Sequence, residues 1–318
     1  MMSTRATTTL PWAWPLVLLA GILIGLLGWL PWLGAGWVPK LQAFALWMLV
    51  LPAAACLVAL LRRRWVLAAL LLGCLLSGVA ASFNPAMPCS TAGASGESLT
   101  MMSFNTLKAG AEPDELAEAI RQRDPDILVL VETSEPLHAA LTQRGAMNDL
   151  GYRTAQAPAG GERDTVIFSR YRLTERTEEL SAKDTGWYSL PVAEVQTPQG
   201  PVTVAGIHIY PPLNNAARWA QGLAALEDWA QSHRGGPVIL AGDFNSVRAH
   251  PQYRSATVGF LESSGRWPDV SWPAGRRFPP LVEIDHILAS QAHVADFQTQ
   301  SIGGSDHLGV VAELMVDP

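Results

Sequence analysis

Hydrophobic positions follow two different rhythms along the chain. Up to Phe83 they run almost without interruption: Leu10–Leu33, Leu41–Leu61 and Trp65–Phe83 contain no charged residue. Each run is about as long as the ~20 residues a helix needs to cross a hydrocarbon core. The pattern predicts three transmembrane helices, at about 10–33, 41–61 and 65–83, in a membrane anchor spanning 1–83. Pro11, Pro15 and Pro31 fall near the ends of the first run, where proline disturbs a helix least, whereas Pro52 lies inside the second and predicts a kink.

From residue 99 onward the apolar runs are short and alternate with amphipathic segments. Strands are expected at Leu99–Phe104, Ile127–Val131, Thr165–Phe168, Val192–Val195, Val202–Ile209, Val238–Ala241, Ile284–Leu288 and Val310–Val316. Helices are expected at Pro113–Arg123, with Leu116 and Ile120 on one face, and at Ala216–Ser232, with Leu223, Leu226 and Trp229 at a spacing of three. Many strands with helices between them predict layered sheets covered by helices, an α/β or α+β sandwich over 99–318. Residues 84–98, NPAMPCSTAGASGES, are small and polar and read as a flexible linker.

Charge sharpens this division. Residues 1–96 hold no Asp or Glu, and their basic residues are Arg5, Lys40, Arg62, Arg63 and Arg64. The remaining chain has 17 basic against 28 acidic residues, a formal net charge of −11. The positive-inside rule places Arg5 and the arginine triplet in the cytoplasm, so three crossings leave the large domain periplasmic or extracellular, anchored in the plasma (inner) membrane. Trp12, Trp14, Trp29, Trp32, Trp37 and Trp65 cluster near span ends, as interfacial anchors do. Cys56 and Cys74 lie in the spans and Cys89 in the linker, so the domain has no disulfide framework.

Several predicted strands end in polar residues. VILAGDFNS stops on Asp243 and Asn245, which share one face of an extended chain while Phe244 points to the other. TMMSFNTL ends on Asn105, DILVLVETSE on Glu132 and VAGIHIYPP on His208; VEIDHILAS begins with Asp285-His286, and GGSDHLGVV places Asp306-His307 before the last strand. Singly, each has an ordinary explanation as a turn former, a cap or a hydrogen-bonded core histidine. Together they supply oxygen ligands for a hard metal and groups for acid/base chemistry. With no cysteine in the domain, Mg²⁺ or Mn²⁺ suits this set better than Zn²⁺.

The ordered series SFNTL, VLVET, VIFSR, GIHIY, AGDFNS, EIDHIL and GGSDHLGVVAEL resembles the motif series of the endonuclease/exonuclease/phosphatase superfamily, the deoxyribonuclease I-like fold. NNAARWAQGLAAL is similar to that family's Arg-x-x-Gln helix, with Arg218 and Gln221. The resemblance covers Ser103 to Leu314 and implies a four-layer αββα sandwich that hydrolyses a phosphate ester with Mg²⁺, or Mn²⁺, as cofactor. It further implies that Glu132 is the principal metal ligand, with Asn105 beside it on metal or phosphate and Asp306 completing the metal or water shell. Asp243 would deprotonate the attacking water and Asn245 donate to the phosphoryl oxygens. His307, fixed by Asp285, would stabilise the transition-state charge, and His208 would be the candidate acid for the leaving oxygen. The acidic partner of His208 is open between Glu162 and Asp164.

Three functions fit these residues: a nuclease or phosphatase, a phospholipid or headgroup phosphodiesterase beside the bilayer, and a non-enzymatic binding protein. The charge of −11 lacks the basic footprint that a phosphate backbone requires. The partners expected are a phosphate-ester substrate, nucleic acid or a phospholipid headgroup, and the lipid bilayer through the N-terminal helices; no protein partner is inferred.

Overall fold

A computed structural model describes residues 13–31, 36–83, 98–155, 164–262 and 268–316. Arg5, Pro11, Trp12, Trp32, Cys89, Glu162 and all but the last residue of the 84–98 segment lie outside the described residues.

The N-terminal part folds into α1 (Ala13–Leu27), α2 (Trp37–Ala43), α3 (Ala45–Met48), α4 (Val50–Leu61) and α5 (Trp65–Ser82). Three full-length spans do not form among the described residues, which corrects the expectation. Only α5, with 18 residues, is long and apolar enough to cross a bilayer alone. The second run passes that test only as a pair, α2 with Ala45–Leu61, bent by 69°, and α1 has 15 residues. The bend falls at Phe44, whose φ of −105° and ψ of 10° leave the helical region, and not at Pro52. Pro52 sits in the first turn of α4, where its missing N–H costs no intrahelical bond.

These helices pack closely. A methyl group on Gly25 would lie 2.4 Å from the Cys74 carbonyl oxygen, so α1 and α5 approach backbone to backbone. Ser77 Oγ donates to Gly25 O at 3.0 Å, and Gln42 Nε2 donates to the carbonyls of Leu27, at the end of α1, and Leu30, just beyond it. Leu16, Leu23, Leu57, Leu61, Val66 and Leu76 point outward and are exposed.

The large domain contains two six-stranded sheets. Its elements are β1 (Leu99–Asn105), α6 (Pro113–Arg123), β2 (Ile127–Thr133), α7 (Glu135–Gln143), β3 (Tyr152–Arg153), β4 (Asp164–Ser169), β5 (Leu173–Glu175), α8 (Ala182–Thr185), β6 (Val192–Thr197), β7 (Gly200–His208), α9 (Ala216–Ser232), β8 (Val238–Asp243), α10 (Pro251–Ala256), β9 (Leu261–Glu262), β10 (Asp285–Ser290), β11 (Ala292–Gln300) and β12 (Gly309–Val316). The strand orders are β11-β12-β1-β2-β4-β3 and β5-β6-β7-β8-β10-β9. Each sheet holds one parallel pair, β1 with β2 through α6 and β7 with β8 through α9. In each pair the C-terminal strand ends therefore lie together.

Three apolar layers make this the expected αββα sandwich. Met102, Phe104, Leu128, Leu130 and Phe168 pack on α6 and α7, while their neighbours Met101, Ile127, Val129 and Ile167 face the second sheet. In that sheet Val204, Ile239, Ala241 and Ile287 face inward, and Ala205, Ile207, Leu240 and Leu288 pack against Trp219, Leu223 and Tyr253. Strands buried on both faces read as continuous apolar runs rather than alternating ones.

Two buried histidines give the fold a pH dependence. His138 Nε2 hydrogen-bonds Thr133 Oγ1 at 2.8 Å and Nδ1 accepts from Arg153; His250 accepts from Val247 N on Nδ1 and faces Pro39 O through Nε2. Burial holds both near a pKa of about 4. An unfolded histidine titrates near ~6.5, so the unfolded chain binds more protons between these values and stability falls as pH drops from ~6.5 to ~4. The expected loss is on the order of 3 kcal/mol per histidine. Melting temperatures of the full chain against pH should fall over this window, less steeply for His138→Gln. A melting temperature constant from pH 7 to 4 would contradict the buried neutral assignment.

Candidate active site

The polar strand ends meet at one end of the sandwich. Parallel pairing places His208 beside Asp243, and antiparallel pairing of β8 with β10 sets Asp285 directly opposite Asp243. Gly242 makes this possible: its φ is 146°, and a Cβ there would lie 2.0 Å from Ile207 O. Gly242→Ala is expected to cost roughly 3–5 kcal/mol through backbone displacement, read as lowered stability in chemical denaturation. A cost under ~1 kcal/mol would show that β7 can yield.

Asp243 is buried and held by three donors. Asn105 Nδ2 and Asn245 Nδ2 each donate to Oδ2 at 3.0 Å, and Asn245 N donates to Oδ1 at 2.8 Å. Phe244 points into the core against Tyr253 and His286, as its place between two polar residues predicts. Burial raises the Asp243 pKa to about 7; the nearby His307 charge opposes this and the Asp285 carboxylate adds to it.

His307 follows a loop in which Ser305 Oγ donates to Asn105 O at 2.7 Å. Its Nδ1 lies 2.8 Å from Asp285 Oδ2, and its Nε2 lies 4.0 Å from Asp243 Oδ2 and 3.8 Å from Asp306 Oδ1. Burial works against charge on this imidazole. Asp285, with Asp243 and Asp306, outweighs burial and lifts the pKa to about 10, so the ring is a cation at neutral pH.

Glu132 is carried by a bulge. The β2–β4 register shifts between Leu130 and Thr133, and Glu132 takes a φ of 53°. A bulge of this kind re-aims a side chain at the end of a ladder. Thr106 Oγ1 and Ala109 N donate to the Glu132 carbonyl, and Lys108 N donates to its Oε2 at 2.9 Å. Its Oε1 is 3.5 Å from His208 Nε2. Of the two acids expected there, Glu162 is outside the described residues and Asp164 stands in register opposite Thr133.

Two of the expected residues bond Asp243. Asn245 Nδ2 donates to Asp243 Oδ2 and Ile209 O. Asn105 is buried, with Oδ1 on Leu107 N and Nδ2 on Asp243.

A cavity of about 650 Å³ lies above these residues, and Glu132, His208, Asp243, Asn245, Asp306 and His307 line it. Aromatic residues that sequence reasoning missed line it as well. Trp187 packs on His208 and Tyr210 at ring-centroid distances of 4.6 and 4.9 Å, and Trp272 Nε1 donates to Asp306 Oδ2 at 3.2 Å. Arg218 lies over the Tyr210 ring and Gln221 donates to Lys183 O and Asp184 O, so this helix supports the Trp187 loop. The aromatic residues of GWY and IYPP were the available signal.

The donor set fits a hard divalent cation. Asp306 Oδ1 is buried and takes no hydrogen bond among the described residues, and Glu132 turns its carboxylate into the same cavity. Ligand atoms of Asp243, Asp285 and His307 also lie within 4.8 Å of one another. This trio and the carboxylates of Glu132 and Asp306 are the groups at the cavity that could hold such an ion.

Residues 102–307 match the model of the Endonuclease/Exonuclease/phosphatase family. No match is found among curated protein sequences. Among solved structures, an endonuclease/exonuclease/phosphatase from Beutenbergia cavernae DSM 12333 is similar at 21% identity and a TM-score of 0.51, over 70% of this chain and 72% of that one. TDP2 of D. rerio, complexed with a single-strand DNA product, aligns at 15% identity and a TM-score of 0.57, over 69% and 99%. A family protein from Bacteroides thetaiotaomicron aligns at 17% identity and a TM-score of 0.50, over 70% and 99%.

Proposed function

This chain belongs to the endonuclease/exonuclease/phosphatase family, and from that premise we propose that it is a divalent-metal-dependent hydrolase of a phosphate ester, held at a bilayer by its N-terminal helices. The observation that carries this reading is the convergence in one cavity of Asp243, held by three donors, and His307, bonded to Asp285, beside Glu132 and Asp306.

Each residue then has a distinct task. A water oxygen attacks phosphorus as the P–O ester bond breaks. Asp243 takes the water proton, and a base with a pKa near the operating pH suits that transfer. Asn105 and Asn245 keep the carboxylate aimed. His307 stabilises the charge that grows on the phosphoryl oxygens, and Asp285 holds it protonated and oriented. His208, backed by Trp187 and Glu132, returns a proton to the leaving oxygen. Glu132 and Asp306 would hold Mg²⁺ or Mn²⁺, which supplies Lewis-acid neutralisation of phosphoryl charge. Chelation with EDTA is expected to lower turnover by ~10² or more, with recovery on Mg²⁺ or Mn²⁺. Undiminished turnover in excess chelator would remove the ion from the reaction.

The N-terminal unit supports membrane attachment by its exposed leucines, since a soluble surface rarely carries so large an apolar face. Arg62–Arg64 precede α5 and the catalytic domain follows it. Arg64 lies 4.9 Å from the Trp14 ring at the start of α1, whereas Gly28 and Ala81, at the other ends of α1 and α5, bond the domain. One crossing by α5 would carry the domain to the side opposite the arginine triplet, and the positive-inside rule supports a location outside the cytoplasm.

A further inference from the structure

The cavity above the site is not made by the catalytic domain alone. Lys40, Ala43 and Phe44, on and just after α2, form part of its wall, facing residues such as Glu132 and Leu213. The 69° bend at Phe44 turns α2 away from the direction of the Ala45–Leu61 helix.

Polar contacts, of which the His250–Pro39 bond is buried, fix this wall and the neighbouring helices to the domain. His250 Nε2 lies 2.9 Å from Pro39 O within α2, and its Nδ1 is already occupied as an acceptor, so Nε2 is the donor. Trp47 Nε1 donates to Leu281 O at 2.7 Å. The Arg254 guanidinium donates to Gly28 O and Ala81 O, at the C-terminal ends of α1 and α5, where unpaired carbonyls and the helix dipoles favour a cation. Leu27 and Ala45 join Val247, Ala249, Val282 and Ile284 in one apolar cluster.

The cavity is graded from polar to apolar. Its inner end carries Glu132, Asp243, Asp306 and His307, while Phe44 and Leu213, 39% and 56% exposed, form an apolar rim. Lys40 and Lys108 are the lysines lining it, and no arginine does so among the described residues. A nucleic-acid strand tracked along its backbone calls for a longer row of cations. An anionic headgroup attached to a hydrocarbon chain matches one cation on the wall, an apolar rim and an adjoining apolar helical unit.

We infer that α2 completes the substrate site and that the substrate is an amphiphilic phosphate ester, its headgroup bound by Lys40 and its chain leaving past Phe44 and Leu213 along the N-terminal helices. This rests on the phosphoesterase reading above. Lys40 is a binding residue for an anionic oxygen of the headgroup, on a flexible stem that reaches from a helix surface to a polar group.

The test uses the full chain in phospholipid nanodiscs with Mg²⁺ or Mn²⁺. Its substrates are phosphatidylglycerol, the chain-free diester glycerophosphoglycerol, bis(4-nitrophenyl) phosphate and a single-stranded oligonucleotide. Phosphatidylglycerol should be preferred over glycerophosphoglycerol by at least ~10-fold in kcat/KM. Lys40→Glu should raise the KM for phosphatidylglycerol by ~10-fold with kcat little changed, the mark of lost uniform binding. Leu213→Asp, at an exposed turn that tolerates change, should also raise that KM, with an unaltered melting temperature for each variant. Equal or better turnover of the chain-free diester or the oligonucleotide, or a KM indifferent to both substitutions, would overturn the inference while leaving the phosphoesterase reading intact. Turnover of none of the four would overturn both.

Discussion

Asp243→Asn is expected to lower the rate of phosphate-ester hydrolysis by ~10² or more, the usual cost of removing a positioned general base. The substitution preserves size and nearly preserves shape. It removes the ability to accept a proton from water. It also disturbs a carboxylate that receives three hydrogen bonds, from Asn105 Nδ2, Asn245 Nδ2 and Asn245 N. An amide has one oxygen, so whichever way it turns, its NH₂ faces at least one of these donors. The loss should appear in kcat at saturating substrate, alongside a modest fall in melting temperature. A variant within several-fold of the parent rate would take Asp243 out of proton transfer.

His307→Ala is expected to cost ~10² to 10³ in turnover, in the range found for a group that stabilises developing oxyanion charge. Asp285→Asn separates charge from position at the same residue. With Asp285 present, the imidazolium persists up to a pKa of about 10, although burial alone would lower it. The raised value means that the ion pair stabilises the fold fully below the unfolded pKa of ~6.5, a contribution lost as pH rises through about 10. Asp285→Asn should therefore move the alkaline limb of the pH–rate profile downward and remove part of this alkaline stability dependence. An unmoved alkaline limb would show that Asp285 only holds the ring in place.

Much of the fold was legible because both sheets are buried on both faces. Runs such as ILVLV and VILA leave little choice but central strands, and α9 announces itself through Leu223, Leu226 and Trp229. What escaped was the periphery. Strand β11, AHVADFQTQ, lies at a sheet edge and mixes polar with apolar residues, so its pairing with β12 decides its conformation. Helix α7 follows Ser134 and carries proline in its first turn, with few apolar positions beyond Leu137 and Leu141. The N-terminal runs were legible in composition but not in geometry. Apolarity could not disclose the break at Phe44, which helix packing against the domain accompanies.

The site was legible in its residues and less so in their partnerships. Asp285 with His307 follows from two adjacent motifs, and the structure joins them at 2.8 Å. Asn105 and Asn245 were readable as polar strand ends, yet the direction of an amide depends on backbone partners such as Ile209 O and Leu107 N. The pairing of Glu132 with His208 depends on a bulge and a positive φ, neither of which has a distinctive sequence signature at a glutamate. Lys40 and Phe44 lie 63 and 59 residues before Ser103, where the first motif begins, and only the tertiary arrangement brings them to the cavity.

The position of bond cleavage tests the central claim most directly. The full chain with Mg²⁺ or Mn²⁺ is incubated with bis(4-nitrophenyl) phosphate in H₂¹⁸O, and both products are weighed by mass spectrometry beside an Asp243→Asn control. Water attack at phosphorus within this site predicts one ¹⁸O in the phosphate monoester, none in the 4-nitrophenol, and little product from the variant. Label in the phenol, or equal turnover by Asp243→Asn, would contradict it.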